Sequence, residues 1–147
     1  MDSLSVTEMA ASGSLQGLLA GARSGDYLSI MAYVWQTPAV DGALAVLRHR
    51  VTQRYGIATT FGYGPRFLHS TGQLHKGGPG SGLFLQLTED HGGDISIPGQ
   101  AFTFGVLADA QAVGDLQALE SAQRRATRIH MGSDAPAGIL ALAAELA

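Results

Sequence analysis

The stretch from Gly64 to Gly82, GPRFLHSTGQLHKGGPGSG, gathers more groups able to do chemistry than any other part of the chain. It holds Arg66, His69, His75 and Lys76, the last being the sole lysine of the sequence. Imidazoles titrate near neutrality and suit general acid or base work, which makes His69 and His75 the candidate catalytic pair. A guanidinium or ammonium can neutralise a phosphate or a developing oxyanion, so Lys76 joins them and Arg66 becomes a candidate substrate ligand. Ser70, Thr71 and Gln73 add hydroxyl and amide groups of the kind that meets a polyol. Gly72 and its neighbouring glycines let the backbone approach a ligand and turn N–H groups toward it. The expected ligand is a phosphorylated or polyhydroxylated small molecule. Plainer roles compete: most of these glycines serve as turn formers, and Arg66 can pair with a helix end or a carboxylate. His49 and His91 read as surface groups and His130 as a strand residue.

Sharper motifs fail in the same stretch. GYGPRF, residues 62–67, opens like a dinucleotide fingerprint but has Phe67 where the third small residue belongs. No phosphate-binding G-x-x-x-x-G-K-[ST] loop occurs. His69 and His75 are six residues apart with no carboxylate ligand nearby, poor spacing for a metal.

The elements that must position these groups alternate. Leu15, Leu18, Leu19 and Ala22 share one helical face. YLSIMAYV, residues 27–34, is a nearly continuous apolar run, as a strand covered on both faces requires. Thr37 and Pro38 form a cap and first turn, after which Val40, Ala43, Leu44, Leu47 and Val51 keep helical spacing until Gly56. Residues 57–61, the run from Leu83 to Glu89 and residues 126–131 read as three more strands, with an irregular polar segment over 89–99. Val106, Ala110, Val113 and Leu116 describe a helix with that face inward. The last residues predict a capped helix with Ile139, Leu142 and Leu146 inward. Strands alternating with helices, without a hairpin signal, predict an α/β fold: a three-layer α/β/α sandwich with a mainly parallel sheet. Ligands of such sheets bind outside the carboxyl ends of the strands.

Composition bounds the rest. At 147 residues with 46% apolar content, one domain over 15–147 is expected, preceded by a flexible segment over 1–14. A net charge of −3 without a basic run argues against nucleic acid and anionic membranes as partners. There is no cysteine, which removes disulfides and thiolate chemistry. No apolar run approaches the ~20 residues of a membrane span, and the N-terminal residues lack the basic start of a signal peptide, so a cytoplasmic location is expected.

Residues 57–90, IATTFGYGPRFLHSTGQLHKGGPGSGLFLQLTED, with IPGQAFTFGVLADAQAVGDLQALE and RRATRIHMG after them and DYLSIMAYVWQTPAVDGALAVLRHRV before, resemble the C-terminal part of the glucose-6-phosphate isomerase region of bifunctional transaldolase/phosphoglucose isomerase proteins. The resemblance covers roughly Gly25 to Gly132. It implies a sugar isomerase (SIS) fold of flavodoxin-like topology and a pocket for a sugar phosphate, lined by His69, Ser70, Thr71, Gln73, His75 and Lys76. It also implies aldose–ketose interconversion through an enediol without a cofactor, and a homodimer or a complex with a complementary SIS half. The sequence departs from that family in the parts that do the chemistry. The phosphate-binding first SIS subdomain and the transaldolase portion are absent, and Ala108 and Asp109 stand where the family has a lysine. No carboxylate lies between Asp41 and Glu89, so the base would come from His69 or His75, from Glu89 folding back, or from a partner chain. The alternative is a non-catalytic SIS-type module that binds a sugar phosphate, a related metabolite or a partner protein.

Overall fold

The computed structural model describes residues 13–147, and the flexible segment expected over 1–14 lies outside them apart from Gly13 and Ser14. Helices α1 (Leu15–Ala20), α2 (Pro38–Tyr55), α3 (Thr71–Gly77), α4 (Phe104–Ser121) and α5 (Ala135–Glu145) alternate with strands β1 (Tyr27–Tyr33), β2 (Ala58–Tyr63), β3 (Gly82–Thr88) and β4 (Arg125–His130). A 3-10 turn over Arg66–His69 precedes α3. The four strands form one parallel sheet in the order β2-β1-β3-β4.

The two central strands explain their own composition. Successive side chains of a strand point to opposite faces, and both faces of β1 and β3 are covered, so almost every residue in them is apolar. Leu28, Ile30, Ala32, Leu83, Leu85 and Leu87 pack with α1, α2 and α5 in the larger core. Met31, Tyr33 and Phe84 face the other way, onto Phe67 and the Ala112 and Leu119 of α4. The result is the three-layer α/β/α sandwich that the alternation predicts.

Helix α2 follows its sequence signals closely. The Thr37 hydroxyl accepts from the Val40 N–H at 3.1 Å, and all five residues expected inward are buried. The helix stops at Gly56, whose φ of 66° is a left-handed value that glycine adopts without strain. Its side chains also guard the β2 side of the sheet: Thr52 donates to the Ile57 carbonyl and Arg48 to that of Thr59, while the Arg48 guanidinium lies over the Phe61 ring. The expected inward residues of α5 are likewise buried.

Two elements differ from expectation. The connector after β2 is helical, folding as the 3-10 turn and α3 rather than as an open loop. Helix α4 is rotated relative to its apolar pattern: Val106 is 54% exposed, and Gly105, Ala112, Asp115 and Leu119 face inward instead. Spacing of apolar residues cannot anticipate this face, because one of its buried members is a carboxylate held by partners on α3 and β1. Among the described residues no helix is long and apolar enough to cross a membrane.

Candidate functional site

From β1 the chain crosses through α2 to β2 on one side, and from β3 through α4 to β4 on the other. The carboxyl ends of β1 and β3, neighbours in the sheet, therefore lead away from each other and leave a crevice between them. A cleft of about 750 Å³ occupies that place, walled by Trp35 just beyond β1, Gly64 and Pro65 beyond β2, Glu89 to Ile95 after β3, and the first turn of α4.

Its polar groups are tied to one another. The Glu89 carboxylate accepts the Trp35 backbone N–H at 2.5 Å, joining the two diverging strand ends. His91 Nε2 meets Asp109 Oδ1 of α4 at 2.8 Å, and His130 meets Asp90 at 2.7 Å while its Nδ1 faces the Thr88 hydroxyl. Asp94 Oδ1 accepts the N–H groups of Ile95 and Gly105. The Thr103 hydroxyl, together with the Gly105 N–H, holds the Asp94 carboxyl below the usual aspartate range. The loop can lie this close to α4 because position 105 is glycine: a Cβ there would meet Asp94 Oδ2 at 2.5 Å and His91 Cγ at 2.8 Å.

The residues singled out in the sequence are distributed differently. His75 is buried between the Phe67 and Phe84 rings, with centroids 6.1 and 4.9 Å away, and its Nε2 meets the Ser29 hydroxyl at 3.2 Å. Burial holds this imidazole below the ordinary histidine range, partly offset by the Asp115 charge. Lys76 pairs with Asp115 at 2.6 Å, and the Tyr33 hydroxyl approaches the other carboxylate oxygen at 3.4 Å. Burial, and then the Asp115 charge, push the Tyr33 phenol far up. Arg124 closes the end of α3 by donating to the carbonyls of His75, Lys76 and Gly78. His75 and Lys76 thus join α3 to β1 and α4, and neither lines the cleft.

Arg66 and Ser70 line a second, shallower hollow of about 340 Å³ with Gln36, Tyr63 and Phe67. Its lining includes sequence neighbours of cleft residues, Gln36 following Trp35 and Arg66 following Pro65. Thr71 and Gln73 are exposed on α3, Gly72 is buried with its Cα side toward Phe67, and His69 ends the 3-10 turn.

In the sequence Glu89 stands only as one source of a base, His91 reads as a surface group, and Trp35 carries no local signal. The available signal was positional: all three closely follow the end of β1 or β3. Recognising it required the strand order, which no local pattern carries.

No family model matches the chain, and no curated protein is significantly similar to it. Among solved structures the fold is similar to that of hypothetical protein TT0462 from Thermus thermophilus, with a TM-score of 0.67 and 18% identity over 82% of this chain. The match covers 35% of that protein, so the chain spans about a third of its length.

Proposed function

We propose that this chain is a sugar isomerase-type domain that binds an aldose or ketose phosphate at the β1/β3 switch point and moves a proton between adjacent carbons of the sugar. The supporting observation is the pairing in one cleft of a carboxylate, Glu89, with a histidine, His91, that is oriented by Asp109. An enediol mechanism needs these two kinds of group. Glu89 takes the proton from one carbon and returns it to the next, and the His91 imidazole exchanges protons with the carbonyl and hydroxyl oxygens. The shallower hollow suits the phosphate, with the Arg66 guanidinium and the Ser70 hydroxyl among its lining groups. The substrate class rests on the resemblance carried by GPRFLHSTGQLHKGG. A complementary SIS half or a second copy of the chain covers the exposed Ile95, Phe102, Phe104 and Val106 beside the cleft.

The test is incubation with fructose 6-phosphate in deuterated water, following exchange at C1 and C2 by NMR. Wild-type protein is expected to exchange, and Glu89→Gln to lose at least about a hundredfold of the rate. Exchange that persists in Glu89→Gln refutes the assignment of the base. A second reading, a module that binds without catalysis, is favoured by the absence of any lysine or arginine lining the cleft itself among the described residues. It predicts chemical-shift changes without deuterium incorporation.

A further inference from the structure

Resting on the reading of the cleft as a sugar site, we infer that it takes the uncharged, polyhydroxylated end of the ligand, and that Trp35 is the platform on which this end stacks. The first part follows from what the cleft cannot hold. At a switch point an anion ordinarily sits on a helix N-terminus, where free N–H groups and the helix dipole meet it. Helix α4 begins at this cleft, yet its first four N–H groups are all taken. Phe104 donates to the Ile95 carbonyl, Gly105 to Asp94, Val106 to the Thr103 hydroxyl and Leu107 to the Thr103 carbonyl. Helix α2 opens with Pro38, which has no N–H, with Val40 donating to the Thr37 hydroxyl and Asp41 to the Thr37 carbonyl, which leaves the Ala39 N–H alone of its first four positions. Besides the Tyr33 phenol, the ionisable groups lining the cleft are Glu89, Asp90, Asp94 and His91, so an anion would also meet an excess of negative charge.

What remains is a largely apolar cleft, with Val34, Ile95, Phe104 and Leu107 in its walls, that carries carboxylate acceptors and an exposed aromatic ring. Trp35 is 78% exposed, the most exposed large apolar side chain among the described residues. An indole so placed has no packing role, and it offers a flat apolar face with one N–H donor. The C–H face of a sugar ring or chain stacks on such a surface while its hydroxyls donate to carboxylates alongside. That combination selects polyols over inorganic phosphate.

Trp35 is the only tryptophan of the chain, so its emission reports this site alone. Titration with fructose 6-phosphate or with free fructose is expected to shift the emission saturably, and inorganic phosphate at the same concentrations to leave it unchanged. By calorimetry, Trp35→Ala is expected to bind fructose 6-phosphate roughly tenfold more weakly and Trp35→Phe to bind near wild-type strength. An emission shift with inorganic phosphate alone, or unchanged affinity in Trp35→Ala, overturns the inference, even where deuterium exchange at the sugar proceeds. Sugar binding that needs Trp35 but gives no exchange leaves the platform standing and removes the isomerase reading. No binding of either sugar overturns both.

Discussion

His75 shows how one side chain can look catalytic and serve the fold. Its ring sits between two aromatic rings and against the Ser29 hydroxyl, and burial lowers its affinity for a proton. A folded-state value below the unfolded one means that the unfolded chain binds more protons between the two. The contribution of His75 is therefore full above the unfolded value of 6.5 and is lost as pH falls from there toward the lowered folded value. Urea unfolding at about pH 7.5 and about pH 5 is expected to show a loss of stability on acidification that is smaller in His75→Gln. An equal loss in the two proteins would remove His75 as its source. At the same scale Lys76 neutralises Asp115, whose side chain is 1% exposed. This pair explains how an acidic residue can occupy the buried face of α4.

The element that shapes the cleft is the junction of the 89–103 loop with α4. Its closeness depends on Gly105, because Asp94 and His91 lie where a Cβ would stand. Gly105→Ala is expected to push the loop away, lowering stability by roughly 1–3 kcal/mol. It should also separate His91 from Asp109, which pack across this contact. Thermal unfolding measures the first effect, and the chemical shifts of the His91 ring by NMR measure the second. His91 ring shifts identical to wild type would show that the pair does not depend on this glycine. Helix α3 plays the opposite part. Its end is fixed by three carbonyls bonded to Arg124, which turns His75 and Lys76 toward the interior and leaves Arg66 and Ser70 at the shallower hollow.

For the molecule as a whole, the cleft stands open beside exposed Phe102, Phe104 and Val106. If a second copy covers these residues, deuterium exchange per chain is expected to rise with protein concentration and then level off, alongside a shift from monomer to dimer in analytical ultracentrifugation. Exchange per chain that is constant while the protein stays monomeric would assign the complete site to one chain.

The sequence by itself determined the elements other than the 3-10 turn and α3, their alternation and hence the layered architecture. It also determined the inward faces of α1, α2 and α5, because helix and strand periods and capping residues such as Thr37 and Gly56 act over a few positions. It pointed to the imidazoles and hydroxyls of residues 64–82 as candidate ligand groups, whereas Glu89, His91 and Trp35 line the cleft. Glu89, His91 and Trp35 come together only because β1 and β3 are adjacent and their crossovers diverge, a consequence of packing between segments more than fifty residues apart. The inward turn of His75 and Lys76 and the rotated face of α4 have the same origin. The buried Asp115 charge is met by Lys76, a partner supplied by another element through the tertiary fold.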